Sequence, residues 1–230
     1  MGTGKTTGMI NYMNEHTESQ FVFITPYLSE VERVLEQCSG RGFKQPLELG
    51  SKMVGFKYLL SKGFNIATTH SLFLKLDDEC VEEIRKHNYV LVIDESLDFV
   101  KPIQIDKKDL EYLSEDFFEK DENGYWKVKQ DGDEYFGALK GKIAEIERYR
   151  VRQLGDGSLL MIFPIDYLKA FKKIFVMTFL FRHQVQRGYF DLFRCQYVYW
   201  RIVGDNPESF YIEEIGNKPM PVQNRNALNQ

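Results

Sequence analysis

The strongest constraint on the fold comes from two short, uninterrupted apolar runs, QFVFITP at residues 20–26 and YVLVID at residues 89–94. Runs of this length without polar alternation are typical of strands that are buried on both faces of a parallel sheet. Helix-like segments separate them, and two further strand-like runs, FNIATTHSLF at 64–73 and KIFVMTFLF at 173–181, continue the alternation. We therefore predict an α/β fold in which helices flank a parallel sheet.

A charge-rich stretch, from about residue 102 to residue 157, interrupts this alternation. Within it, Asn123-Gly124 separates the strand-like pieces FFEKDE and YWKVK and predicts a hairpin turn. A helix is expected at about 135–152, and SLLMIF at 158–163 is expected to return to the parallel sheet. We interpret 102–157 as an inserted α+β segment.

The composition indicates a folded chain whose overall charge does not attract polyanions. Hydrophobic residues make up 43% and charged residues 28% of the 230 residues, which excludes disordered and fibrous classes. The formal net charge of −4 means that a nucleic-acid contact would have to be a local patch. Cys38, Cys80 and Cys195 form no Cys-x-x-Cys pair, so neither a disulfide framework nor a zinc site is expected. Without a bilayer-length apolar stretch or a signal-peptide pattern, we expect no membrane partner and a cytoplasmic location.

A glycine-rich segment at the start of the chain matches the second half of the phosphate-binding loop G-x-x-x-x-G-K-[ST]. In such a loop, glycines let backbone N–H groups close around phosphate oxygens, a lysine neutralises the terminal phosphates, and a hydroxyl coordinates Mg²⁺. A helix that begins at Lys5 would add the positive end of its dipole. We expect Lys5 to act in catalysis, Thr6 to bind Mg²⁺, and the whole segment to bind ATP, that is, Gly2, Thr3, Gly4, Lys5, Thr6 and Thr7.

A second chemical signal is the pair of acids that ends the run YVLVIDES at 89–96. Open α/β sheets bind their ligands at the carboxyl ends of the strands, which is where Asp94 and Glu95 would lie. An isolated Asp-Glu pair is most simply a strand-end cap, but together with the Gly-Lys-Thr segment it supplies both halves of one mechanism. Asp94 would hold Mg²⁺, and the catalytic Glu95 would orient or deprotonate an attacking water.

With these two motifs in place, the chain resembles the first RecA-like domain of a superfamily 2, DEAD/DEAH-like helicase of the bacteriophage type. GTGKTT, ITPYLSEVERV, TTHSLF, IDES and MTFLF stand in the order of helicase motifs I, Ia, Ib, II and III. The resemblance covers residues 1–181 and implies a RecA-like P-loop NTPase fold. The first glycine of the loop and the strand before it would precede Met1, so it also implies a domain truncated at the phosphate loop. Residues 182–215 would begin a second RecA-like domain that is otherwise missing, and 216–230 would be a tail or linker.

The resemblance further implies an ATP- and Mg²⁺-dependent helicase or translocase that acts on nucleic acid, with DNA favoured over RNA. Such a protein would serve viral DNA replication or recombination in the cytoplasm of a bacterial host. Hydroxyl and backbone contacts to phosphate position a nucleic-acid strand without reading its sequence, as a moving protein requires. Met177-Thr178-Phe179 departs from the usual small-residue triplet, which weakens the coupling role implied for Thr178. The residues at the positions of nucleic-acid contact are Thr25, Pro26 and Tyr27 in the first segment and Thr69, His70 and Ser71 in the second.

Two alternatives are open at this point. A terminase-like packaging ATPase also uses a phosphate loop and a strand-end Asp-Glu pair. A non-catalytic, helicase-like nucleic-acid-binding scaffold would retain the fold without holding ATP.

Overall fold

The computed structural model describes residues 4–48, 50–129, 140–154 and 158–217. These residues form a mixed α/β body. The helices are α1 (Lys5–Glu15), α2 (Leu28–Gln37), α3 (Lys52–Ser61), α4 (His70–Phe73), α5 (Asp78–His87), α6 (Lys107–Asp116), α7 (Lys140–Arg148), α8 (Ile165–Leu168) and α9 (Val185–Leu192). The strands are β1 (Phe21–Thr25), β2 (Ile66–Thr69), β3 (Val90–Asp94), β4 (Val100–Ile103), β5 (Phe118–Lys120), β6 (Tyr125–Val128), β7 (Arg150–Gln153), β8 (Leu159–Ile162), β9 (Lys173–Met177), β10 (Tyr199–Val203) and β11 (Tyr211–Gly216).

The predicted parallel sheet is confirmed and has the strand order β2-β1-β3-β9. Every residue of β1 and β3 is buried, as the uninterrupted apolar runs require. Parallel pairing aligns Thr25 with Thr69 and Asp94 with Met177 at the ends of neighbouring strands. The carboxyl ends of all four strands therefore meet at one edge of the sheet.

Side chains that alternate along the strands build a hydrophobic core on each face of the sheet. On one face, Phe21 and Phe23 of β1 pack with the buried residues of α1 and α2. On the other face, Val22 and Ile24 pack with residues of α3 and α5. The helices α1 and α2 thus lie side by side on the same face, an arrangement that places the amino end of α1 near the carboxyl edge of β3.

The predicted insertion is a separate antiparallel sheet with the strand order β4-β8-β7-β6-β5 and its own hydrophobic core. The hairpin at Asn123-Gly124 is confirmed: Gly124 has φ 79°, and the Asp121 carboxylate accepts a hydrogen bond from the backbone N–H of Tyr125. Of the helix expected at about 135–152, residues 135–139 lie outside the described residues. The helix ends at Arg148, because the last residues of the expected range pair in β7.

One strand prediction is wrong. SLLMIF at 158–163 does not return to the parallel sheet, because β8 pairs antiparallel with both β4 and β7. The insertion therefore extends to β4 and β8 on either side of the range 102–157. Apolar strands are alike in sequence whichever sheet they join, so only the pairing partner distinguishes the two outcomes.

The segment expected to begin a second domain packs on the body already described. In α9, the Tyr189 hydroxyl donates to the Phe163 carbonyl, and Tyr189 and Phe190 belong to the core on the α3–α5 face. The strands β10 and β11 form an antiparallel hairpin that lies along α1, where the Asn11 side chain donates to the Phe210 carbonyl at 2.8 Å. Residues 218–230 of the expected tail lie outside the described residues.

None of the helices in the described ranges is long and apolar enough to cross a membrane.

Candidate functional site

A buried carboxylate with two hydroxyl partners lies at the carboxyl edge of the parallel sheet. Asp94, the last residue of β3, has only 5% of its surface exposed. Its Oδ2 accepts a hydrogen bond from Thr25 Oγ1 at 3.1 Å, and its Oδ1 lies 3.5 Å from Thr6 Oγ1. Thr25 ends the neighbouring strand and Thr6 lies in the first turn of α1, so three separate elements converge here.

The environment of Asp94 strongly disfavours its charged form. Burial raises the pKa of Asp94 from 3.8 to about 6, and the negative charges of Glu95 and Glu30 add to this rise. The hydrogen bond from Thr25 and the positive charge of Lys5 oppose it. A carboxylate with these surroundings would be stabilised by a bound cation, because the cation would offset both the burial and the neighbouring acids.

The oxygen atoms at this position suit Mg²⁺. Mg²⁺ prefers hard oxygen ligands and usually takes one or two from protein, with water and substrate phosphates completing its shell. Thr6 Oγ1 and an Asp94 carboxylate oxygen are two such ligands on one side of an open site. The described residues contain no group of three or more His, Cys, Asp or Glu that could hold a metal. A cation held by these two oxygens would have room for water or phosphate oxygens in its shell.

The amino end of α1 has several features that are typical of anion-binding helix ends. Gly4 precedes the helix with φ 71°, a left-handed conformation that glycine adopts without strain. The capping residue Gly4 has no side chain that could accept a hydrogen bond from the first N–H groups of the helix. The first turn also contains no acidic residue that would repel an anion. Lys5 stands in this turn, close enough for its charge to lower the pKa of Asp94. Gly2 and Thr3, the other predicted loop residues, lie outside the described residues.

Glu95 adopts an unusual backbone conformation directly after Asp94. Its φ of 63° is rare for a residue other than glycine. The Glu95 N–H donates to the Met177 carbonyl at 2.9 Å, which ties the end of β3 to the end of β9, and the side chain is exposed. Backbone strain of this kind is concentrated at functional sites, where the surrounding structure holds it in place.

Thr178 follows β9 and is held by a side chain that the sequence did not point to. The Gln184 amide donates to Thr178 Oγ1 at 2.6 Å and to the Phe179 carbonyl at 2.8 Å. Because Met177 binds Glu95, Thr178 lies next to the predicted catalytic acid in space. Gln184, the residue that precedes α9, thus holds the segment that directly follows the end of β9.

The first predicted nucleic-acid segment divides into a buried part and an exposed part. Thr25 is fully buried and its hydroxyl donates to Asp94, so the Thr25 side chain does not face an external ligand. The sequence could not separate these roles, because a threonine at a strand end can point to either face. Pro26 and Tyr27 are exposed, and 58% of the Tyr27 surface is accessible. They remain available for an external contact.

The second predicted segment stands beside the first at the same sheet edge. Thr69 Oγ1 lies 3.5 Å from Ser71 Oγ, and Ser71 is exposed. His70 is half-buried against the backbone of Ile24 and Asp94, and burial lowers its pKa, so its neutral form is favoured. Ser71 and Thr69 can thus face a ligand, whereas His70 packs under the site.

Two further neighbours of the phosphate segment escaped the sequence analysis. Arg33 of α2 donates through Nη2 to Thr7 Oγ1 at 2.8 Å. The ring of Phe210 covers Gly4 so closely that a Cβ at Gly4 would lie 2.5 Å from its Cε2. No local signal marks either residue, because each is brought to α1 by the packing of a distant element.

A long groove runs beside β9, whose outer edge has no strand partner among the described residues. Its volume is about 1390 Å³. Residues of α1 and of the β10–β11 hairpin line it, including Lys5, Met9 and Trp200. Leu168 and Phe171, which belong to the core on the α3–α5 face, also line it.

Comparison with known proteins places the chain near one prophage protein. It is 34% identical over 219 residues to the SPbeta prophage-derived uncharacterized protein YonV of Bacillus subtilis (strain 168). The match covers 90% of this chain and 53% of YonV, so the chain spans about half the length of that relative. No family model and no solved structure matches the chain. The name of that relative records a prophage origin for YonV and states no activity.

Proposed function

We propose that this chain is the nucleotide-binding part of an ATP- and Mg²⁺-dependent helicase or translocase. The observation that carries the proposal is the convergence of Thr6 and Asp94, which are 88 positions apart, beneath the amino end of α1. A helix N-terminus, a lysine in its first turn, a hydroxyl and a strand-end carboxylate together suit a nucleoside triphosphate with its metal.

Each residue has a defined task in this proposal. Lys5 and the N–H groups of the first turn of α1 bind the phosphates, and Thr6 and Asp94 hold Mg²⁺. The bound Mg²⁺ supplies positive charge to the phosphate oxygens. Thr25 orients the Asp94 carboxylate through its hydrogen bond. Glu95, exposed beside the site, orients the water or accepts its proton.

The nucleic-acid partner is proposed from the exposed side chains at the same edge. Pro26 and Tyr27 follow β1, and Ser71 lies in α4 just after the half-buried Thr69, the last residue of β2. Hydroxyl and aromatic groups suit sequence-independent contacts with phosphates and bases. Because the net charge of the chain is −4, we expect binding to be weak and to depend on this patch.

The groove beside β9 supports the expectation that a strand leads into the phosphate loop. Such a strand would run parallel to β9 and end near Gly4, so that α1 would follow it directly. A longer natural protein that contained this strand would complete both the sheet and the loop.

The deciding experiment measures MgATP binding and hydrolysis with and without single-stranded DNA. Lys5→Ala should abolish hydrolysis. The matched control is Lys62→Ala, because Lys62 is exposed and precedes the amino end of β2, at the opposite end of that strand from the proposed site. Hydrolysis that DNA accelerates supports a motor, whereas hydrolysis indifferent to DNA or RNA contradicts it. No shift in melting temperature with MgATP would instead favour the non-catalytic scaffold.

A further inference from the structure

Two side-chain hydrogen bonds tie α1 to α2, one near the amino end of α1 and one near its carboxyl end. Near the phosphate segment, Arg33 Nη2 donates to Thr7 Oγ1 at 2.8 Å. Toward the other end, Asn14 Nδ2 donates to the Gln37 carbonyl at 3.0 Å. The two contacts join the same helices, but only the first reaches the turn that is proposed to bind phosphate.

The Arg33 guanidinium is held in one orientation by three partners. Besides Thr7, Nη1 lies 3.3 Å from a Glu30 carboxylate oxygen, and Nε donates to Gln37 Oε1 at 3.3 Å. Arginine has a planar head with a fixed fork of donors, so three directed contacts restrict its rotation. The pairing also places a positive charge beside Glu30, the acid whose charge acts on Asp94.

The direction of the Arg33–Thr7 hydrogen bond determines whether the Thr7 hydroxyl is free to donate to a ligand. A guanidinium only donates, so Thr7 Oγ1 must be the acceptor. The hydroxyl hydrogen of Thr7 is then left to donate elsewhere. Thr7 is the third residue of α1 and is half-buried beside Thr6, where a phosphate at the helix N-terminus would offer an acceptor.

We propose that Arg33 is a positioning residue for nucleotide: it fixes Thr7 as a hydrogen-bond donor to phosphate and neutralises Glu30, which would otherwise repel that phosphate. It rests on the proposed function, because it assumes that the amino end of α1 binds a nucleoside phosphate. Arg33 also stands on the helix that begins at Leu28, directly after the exposed Tyr27.

A double-mutant cycle between Arg33 and Thr7, with MgADP as the probe, tests the proposal. Arg33→Met removes the donor and the charge but keeps the stem, and Thr7→Val removes the hydroxyl at similar volume. We expect each substitution to weaken MgADP binding about tenfold, the size of one charged hydrogen bond. The double variant should be no more than about tenfold to thirtyfold weaker than the unaltered chain, because the two residues act through one contact.

Asn14→Ala is the matched control, because it breaks the other bond between the same helices. It should lower the melting temperature about as much as Arg33→Met while leaving the MgADP affinity unchanged. Arg33→Lys should restore part of the affinity by neutralising Glu30, and Glu30→Gln should partly rescue Arg33→Met. These readouts separate a role in the phosphate site from a purely structural one.

The possible outcomes are distinct. If the unaltered chain binds MgADP and Arg33→Met binds it equally well, the role of Arg33 is overturned and the proposed function stands. Fully additive losses, or an equal loss with Asn14→Ala, also overturn it. If the unaltered chain shows no saturable MgADP binding, the proposed function fails and the role of Arg33 fails with it. Should Arg33→Met not fold, Arg33→Lys and Thr7→Val carry the same comparison.

Discussion

Thr6 Oγ1 lies 3.5 Å from Asp94 Oδ1, although 88 positions separate the two residues in the chain. The contact joins the first turn of α1 to the end of β3, and Thr25 holds the other carboxylate oxygen. The distance is longer than an ordinary O–H···O hydrogen bond. Both oxygens can therefore turn toward a shared cation with little cost to the fold.

The raised pKa of Asp94 predicts how the metal-free protein responds to pH. Because the folded-state pKa, about 6, lies above the ordinary value of 3.8, the folded chain holds the proton more tightly than the unfolded chain. This contribution to stability is fully present below about pH 4 and is lost as the pH rises through about 6. In EDTA at pH 7, Asp94→Asn should be more stable by on the order of 1–3 kcal/mol.

Urea unfolding of both proteins from pH 4 to pH 7 measures this difference. The stability advantage of Asp94→Asn should grow as the pH rises. It should shrink when MgADP is added, because Mg²⁺ would stabilise the charged Asp94 carboxylate of the unaltered chain but not the neutral amide of the variant. A constant difference at all pH values would contradict the assignment.

Glu95→Gln should separate binding from hydrolysis. The substitution keeps the size of the side chain but removes the proton acceptor, so MgATP should still bind while turnover falls about 10²- to 10⁴-fold. Single-turnover hydrolysis together with nucleotide titration makes the measurement. Asp98→Asn, an exposed acid three positions further on, is the control and should keep full turnover. Undiminished turnover in Glu95→Gln would remove Glu95 from the catalytic role.

Substitutions at Thr25 and Tyr27, two positions apart, should affect different properties, the first stability and the second DNA binding. Thr25→Val removes a donor from a buried carboxylate and should lower the stability by about 1–3 kcal/mol. Tyr27→Ala removes an exposed ring and should leave stability nearly unchanged while weakening single-stranded DNA binding, by up to about tenfold. Melting curves and fluorescence anisotropy with labelled DNA check the pair. If Tyr27→Ala binds DNA as the unaltered chain does, Tyr27 is not a contact.

Substitution of Gly4 by alanine should lower the stability more than the same substitution at Gly42, which has a similar left-handed backbone conformation. Gly4→Ala meets both a φ of 71° and the Phe210 ring, whereas Gly42→Ala meets a φ of 62° and no atom within 4 Å. The left-handed conformation alone costs about 1–2 kcal/mol in each. Urea unfolding should show a larger loss for Gly4→Ala, and Phe210→Ala should reduce the excess. Equal losses would mean that the Phe210 ring moves aside freely.

The groove beside β9 should accept an added strand. We expect a five-residue apolar strand and a glycine, fused before residue 1, to raise the melting temperature and to slow amide exchange in Lys173–Met177. The reason is that a parallel neighbour would bind the outer backbone groups of β9 and cover both walls of the groove. An extension of equal length with alternating charges is the control. Equal exchange with both extensions would show that the groove does not hold a strand.

Several features of the fold follow from local sequence. The runs that contain Phe21–Thr25 and Val90–Asp94 predicted two parallel strands because they offer apolar side chains to both faces. Asn123-Gly124 predicted its hairpin because few residues other than Gly and Asn adopt the required left-handed backbone. The Gly-Lys-Thr segment and the strand-end Asp94 could be identified as candidate site residues for a similar reason, since each motif depends on residue type at fixed spacing.

Other features depend on which distant segments meet. Whether β8 joined the parallel or the antiparallel sheet was decided by its pairing with β4 and β7, which an apolar strand does not encode by itself. The inward turn of Thr25 toward Asp94 and the hydrogen bond from Arg33 to Thr7 arise from contacts between elements far apart in sequence. The sequence by itself determined the types of elements and the chemical groups, because these are local properties. The tertiary structure decided which groups share a site, because that depends on how strands pair and how helices pack.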